Sequence, residues 1–320
     1  MSDWNIWDGK TPAKTEDIKR WLAQSPPWRR ASGEKHKSKP ASAPLLAGAD
    51  LRRGETWHAP AEGDVLRKIH LSMWLRRPLL IEGDPGVGKS SLAYALAHGL
   101  GLGKVLRWEI SSKTPYSEGL YQYNAVSHLR GIQDPDEDSA IENYVQLGPL
   151  GTALIGSKVK GQKELLPRVL LVDELDKSDY DLPNDLLHVL EEAKFTIDEL
   201  NRGEDEKHWI AMDDGRQVEI TGGRVTCDVH PVVVITSNGE RQFPAAFLRR
   251  CVRIRLQAPR GEQLRSLVAE HFKGEDYTPD VGELDSGKIS PDRVIQALFM
   301  KELKMDPSEV LESLGGDGRN

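Results

Sequence analysis

"GDPGVGKS", Gly83 to Ser90, decides how this chain is read. A glycine, four residues and then Gly-Lys-Ser let a loop curl until its backbone N–H groups converge on an anion. Lys89 then reaches the terminal phosphates of a nucleotide, and Ser90 offers a hydroxyl to Mg2+. Just before it, "LLIE" (79–82) predicts a short buried strand. Just after it, "SSLAYALAHGL" predicts a helix whose positive N-terminal end faces the same anion. That strand–loop–helix context turns a moderately specific pattern into a phosphate site. The predicted nucleotide-binding residues are Gly83, Asp84, Pro85, Gly86, Val87, Gly88, Lys89, Ser90 and Ser91.

Working outward, "VLRKIHLSMWLRR" has helical spacing that Pro78 stops, and four more apolar runs predict strands at 105–110, 168–172, 231–236 and 252–256. They alternate with helical segments such as "DLPNDLLHVLEEA", which predicts a parallel sheet with helices on both faces. After Pro259 the pattern is helical alone, in "GEQLRSLVAEHF" and "SPDRVIQALFMKEL". The expected domains are a flexible Trp-containing arm and linker (1–50), a nucleotide-binding core (51–258), and a helical lid with a short tail (259–320). Two inserts interrupt the core. One, between Ser112 and Leu166, is Gly-rich and carries the acidic run "DPDEDS"; the other, "HWIAMDDGRQVEITGGRVTCDV", predicts a β-hairpin.

Three further stretches carry chemistry. "RVLLVDELDKS" (168–178) is an apolar strand ending in an acidic pair, and an acid at the C-terminal end of a parallel strand points into the ligand crevice. Asp173 would hold Mg2+ and Glu174 would polarise an attacking water. In "VVVITSN", Asn238 would either orient that water or touch the γ-phosphate, or else cap the next helix. "FPAAFLRRC" places Arg249 and Arg250 side by side, where their like charges repel and each needs an anion or water. Read alone, they are cations at the negative end of a helix dipole.

Bulk properties exclude some classes. The net charge is −7, so no overall basic field favours nucleic acid. Two cysteines make no disulfide framework, the N-terminus is polar, and no apolar run reaches the ~18 to 20 residues of a membrane helix. A cytoplasmic protein with no membrane partner is the expectation. "SPPWRRASGEKHKSKPASAPLLAG" reads as a loose linker, yet Trp4, Trp7, Trp21 and Trp28 crowd the same arm. Those indoles either pack on the body or dock on a partner. The basic stretch "RRASGEKHKSK" is either a solvated linker or a nucleic-acid contact.

The order of these motifs resembles an AAA+ ATPase of the MoxR type, over residues 60 to 300. The resemblance implies an α/β P-loop AAA+ αβα core with a five-stranded parallel sheet, a small helical lid, and hydrolysis of ATP with Mg2+. It implies a homo-oligomeric ring, usually of six subunits. Asn238 takes the sensor 1 position, and Arg249 and Arg250 reach a neighbour's γ-phosphate. "SEGLYQYNAVSHLRGIQ" resembles the helix-2 insertion and the hairpin resembles the pre-sensor-1 insertion. One departure stands out: where the family's lid presents an arginine in a Ser-Pro-Arg setting, this chain has "SPDRV". Asp292 takes that place and Arg293 is displaced by one residue, about 100° around a helix.

MoxR-type proteins are similar to chaperones that work with a von Willebrand A domain partner, and some belong to bacterial conflict systems. The function implied is an ATP-hydrolysing ring that remodels or activates a partner protein. Two alternatives stand beside it: a motor subunit of a nucleic-acid-directed defence system, and a nucleotide-gated assembly switch with little turnover. The choice of ATP over GTP rests on the resemblance.

Overall fold

A computed structural model of the chain describes residues 4–29, 35–57, 63–134, 139–158, 165–201, 203, 205–272 and 291–303. Its centre is a five-stranded, wholly parallel sheet of β1 (Leu79–Glu82), β2 (Leu106–Glu109), β3 (Val169–Asp173), β4 (Val232–Ser237) and β5 (Val252–Arg255), in the order β5-β1-β4-β3-β2. All five are the predicted strands.

Burial follows position in the sheet. The inner strands β3 and β4 are buried along their whole length, whereas the edge strands β2 and β5 alternate buried and exposed. Within β1 the two-residue period sends Leu79 and Ile81 to one face and Leu80 to the other. The first face packs against helix Ser91–Gly99, and the second against helices Pro149–Ile155 and Leu182–Glu192. The result is a three-layer α/β/α sandwich, as expected.

The second insert forms the predicted hairpin, Lys207–Ala211 with Gln217–Thr221. Its wider setting was not legible. It joins a seven-stranded sheet with Tyr121–Tyr123, Val145–Leu147, Lys194–Thr196, Arg224–Thr226 and, from the arm, Ser38–Lys39. Part of the acidic run of the first insert, residues 135–138, lies outside the described residues.

A buried ion triad fastens this sheet to the core. Arg168, which directly precedes β3, is fully buried and pairs with Asp214 of the hairpin turn, and Arg216 donates to the same carboxylate at 2.9 Å. Burial alone would raise the Asp214 carboxyl, but the Arg168 and Arg216 guanidiniums hold it below its ordinary value. Arg168 Nη2 also donates to the Lys104 carbonyl (2.6 Å) and Arg216 Nη2 to the Gly156 carbonyl (2.9 Å), while the buried Arg168 Nε has no hydrogen-bond partner among the described residues.

The arm corrects the expectation of a flexible segment. Trp21, on helix Thr15–Ala23, is fully buried; its Nε1 donates to the Met73 carbonyl at 3.0 Å and its ring lies under the Arg76 guanidinium. Trp7 is buried in the same cluster and packs so closely on Gly99 that a Cβ there would lie 2.4 Å from the indole nitrogen. The indoles of Trp7 and Trp21 therefore pack on the body, and Trp28 stays 72% exposed. We expect Trp21→Ala to cost ~3–5 kcal/mol of stability, read as a fall in denaturation midpoint. An unchanged midpoint would mean that the arm is not part of the cooperative unit.

After β5, helices Glu262–His271 and Pro291–Glu302 share a small apolar cluster of Leu264, Val268, Phe272, Val294 and Leu298. The rest of the expected lid and tail, 273–290 and 304–320, lies outside the described residues. Among the described residues no helix is long and apolar enough to cross a membrane.

Candidate nucleotide site

The Gly-rich loop leaves the C-terminal end of β1 and enters helix Ser91–Gly99. Its curl needs left-handed backbone at Gly86 (φ 77°) and Gly88 (φ 86°), which a Cβ would strain. Gly83 is constrained by space instead: a Cβ there would meet the Leu256 carbonyl at 2.6 Å.

Lys89 is buried and already tethered. Its Nζ donates to the carbonyls of Gly83 (2.8 Å) and Asp84 (2.9 Å) and to Oδ1 of Asn238 (2.7 Å). Burial pulls its pKa down, and Asp176, Asp173, Asp84 and Glu174 around it oppose that pull.

Parallel register places the acids beside this lysine. β3 lies next to β4, and Asp173 at its end accepts from Ser90 Oγ (2.8 Å), from Thr236 Oγ1 (2.7 Å) and from Arg107 (2.9 Å). Burial would raise its carboxyl, but these three hydrogen bonds hold it below the ordinary value. Glu174 follows with φ 60° and ψ 47°, a left-handed conformation that costs a non-glycine residue ~1 kcal/mol or more. Its backbone N–H is held by Thr236 Oγ1 at 2.8 Å. Its Oε1 accepts from Asn238 Nδ2 (3.2 Å) and its Oε2 from Lys177 Nζ (2.7 Å).

Asn238 thus bridges Lys89 and Glu174 with the two ends of one amide. The helix-cap alternative fails, because the next helix starts at Ala245 and Asn238 is turned inward. Asp176 fixes its backbone, accepting from the N–H groups of Asn238 and Glu240, both at 3.0 Å.

The paired arginines diverge. Arg250 Nε sits 2.9 Å from Glu191 Oε1 on helix Leu182–Glu192. Arg249 is exposed, and among the described residues no carboxylate pairs with its guanidinium; its carbonyl accepts from Arg77 at 3.0 Å. Arg293 is half-buried on helix Pro291–Glu302.

The structure therefore brings Lys89, Ser90, Asp173, Glu174 and Asn238 into one hydrogen-bonded group and leaves Arg249 and Arg250 on the surface. Four members were missed in the sequence: Arg107, Asp176, Lys177 and Thr236. Thr236 and Asp176 stand two residues from Asn238 and Glu174, within the motifs already singled out.

Over residues 78–251 the chain matches the AAA domain of the dynein-related subfamily. No curated protein matches it significantly. Among solved structures it is similar to a candidate ATPase of Cytophaga hutchinsonii, at 14% identity and a TM-score of 0.42, covering 79% of this chain and 62% of that one. It is also similar to NtrX from Brucella abortus, at 14% identity and a TM-score of 0.45, covering 79% and 53%, and to NtrX in complex with ATP, at 14% and 0.42, covering 81% and 51%. The chain thus spans between half and two thirds of those proteins, and at that distance none of them speaks for its activity. The family match covers more than half of the chain and contains the loop, Asp173, Glu174 and Asn238: the chain belongs to the AAA domains of the dynein-related subfamily.

Proposed function

We propose that this chain is the subunit of a MoxR-type ring that hydrolyses ATP to remodel a partner protein, with a von Willebrand A domain protein as the expected partner. The observation that carries the reading is the Lys89–Asn238–Glu174 bridge. An incoming polyphosphate offers Lys89 charge-assisted hydrogen bonds stronger than those from two carbonyls and an amide. Lys89 then leaves Asn238, whose amide becomes available to the γ-phosphate or the attacking water. Glu174, released from the same amide, accepts a proton from that water. Nucleotide occupancy is thereby read out at the base itself.

Ser90 and Asp173 fit Mg2+: a hydroxyl and a carboxylate, both hard oxygen donors, stand 2.8 Å apart beside the loop. When bound, the ion supplies charge neutralisation at the phosphoryl oxygens. Arg249 is the proposed finger toward a neighbouring subunit, and Arg250 the brace that holds its helix end to Glu191.

The assembly-switch alternative draws on one observation. Lys177 Nζ donates to Glu174 Oε2 at 2.7 Å and so occupies the oxygen that would face the water, which favours slow turnover until a partner displaces it. The nucleic-acid alternative is weakened by how much of the described basic stretch is engaged on the body. His36 pairs with Asp228, Lys37 with Glu219, and Lys39 lies over Trp209; residues 30–34 lie outside the described residues.

The test uses Glu174→Gln, which keeps ATP binding and loses ~10²–10⁴-fold in turnover with its base. With ATP it should form a multi-subunit assembly, seen by light scattering, and hold a specific protein that is released when ATP is withdrawn. Lys89→Ala should hold none. Identical sets of captured proteins on both variants would rule the remodelling reading out, and normal turnover in Glu174→Gln would remove Glu174 as the base.

A further inference from the structure

Asp173 accepts from three side chains. Ser90 and Thr236 share Oδ1, and among the described residues Arg107 alone holds Oδ2. The first two are neutral hydroxyls, whereas the third is a cation arriving from the edge strand. Register explains how it gets there: β2 lies against β3 with Glu109 beside Asp173, so Arg107, two residues earlier on the same exposed side of β2, reaches up to both. One end of its guanidinium bonds Asp173 at 2.9 Å and the other bonds Glu109 at 2.8 Å. Its side chain is 43% exposed, so leaving Asp173 for Glu109 and water carries little desolvation cost.

We propose that Arg107 is a displaceable counter-charge: it holds the Asp173 carboxylate while no divalent cation is present, and competes with Mg2+ for that carboxylate when nucleotide arrives. This rests on reading Asp173 as the Mg2+ residue. Two cations cannot both be neutralised by one carboxylate, so Mg2+ loading proceeds against Arg107, and Glu109 is the acid onto which the arginine retreats. Arg107 is a positioning residue, since it acts through Asp173.

The experiment titrates Mg2+ into the metal-free protein with a fluorescent non-hydrolysable ATP analogue at fixed concentration, reading nucleotide binding rather than turnover. Arg107→Ala should lower the Mg2+ midpoint roughly three- to tenfold, the scale of one partly solvated charge a few ångströms away. The shift should shrink at high salt. Arg107→Lys, which keeps the charge, should restore most of it, and Arg107→Gln should behave as the alanine variant does if that variant is unstable. Melting temperature should fall more in the nucleotide-free protein than in the Mg2+-nucleotide complex.

Asp173→Asn, measured alongside, separates the two layers. If it leaves the midpoint unmoved, Asp173 is not the Mg2+ residue and the proposal falls with that reading. If it raises the midpoint while Arg107→Ala leaves it unchanged or raises it, the counter-charge alone is wrong. Equal shifts in Arg107→Ala and Arg107→Lys, or equal melting losses in both states, would also overturn it, because the arginine would then be structural.

Discussion

Lys89→Ala is expected to lose ATP binding by ~100-fold or more, the largest single effect at the site. Among the described residues the ammonium is the buried cation at the loop, and its three acceptors are all neutral. Exchange of those acceptors for phosphate oxygens is the step that alanine removes. Fold loss is a separable outcome. Burial disfavours the charged form of Lys89, so the melting temperature without nucleotide should stay within a few degrees of the parent. What disappears is the rise in melting temperature that ATP gives the parent by mass action. If the variant keeps that rise, the loop does not bind phosphate through Lys89.

Arg249→Ala should bind ATP normally yet hydrolyse it poorly, because its own pocket is intact and the defect lies at the neighbour's. In other phosphoryl-transfer enzymes an arginine acting across an interface is worth roughly 10³–10⁵ in rate. Mixing this variant with Lys89→Ala places some intact pockets beside intact arginines, so activity should return in a mixture of two inactive proteins. Co-assembly must be shown independently, by pull-down of differently tagged subunits. Given it, activity no higher than the sum of the separate variants would end the cross-interface reading. Arg250→Ala is the internal control: it breaks a surface pair with Glu191, both side chains more than a third exposed, and should cost stability only ~0–1 kcal/mol.

The two arginines look equivalent in sequence. They are told apart by Glu191, far away in the chain on a helix whose face was not legible from periodicity alone. The same limit recurs elsewhere. The core strands announce themselves because buried parallel strands are continuous apolar runs closed by glycine, acid or amide. The loop, Asp173, Glu174 and Asn238 stand at those strand ends and are legible with them. Arg107 is not, because its role depends on the register between β2 and β3, and a strand pairing over that separation leaves no local pattern. Trp7 and Trp21 are ambiguous for another reason: they are single large side chains in a polar, Pro-rich context, buried by gaps the body offers, such as the bare face of Gly99. The seven-stranded sheet draws its strands from both inserts and the arm, so no one stretch carries its signature.

The Arg168–Asp214–Arg216 triad gives the two sheets a shared mechanical fate. Parting them would bare two guanidiniums and a carboxylate at once, and breaking such a buried pair costs ~3–5 kcal/mol. A load on the hairpin therefore moves the joint as a stiff unit before it opens it. Arg168 stands five residues before Asp173, a lever arm of about 16 Å along an extended strand. Inside a close-packed sheet that lever has nowhere to bend. A load carried by the outer sheet thus enters the same strand that ends at Asp173, the carboxylate beside the phosphate loop.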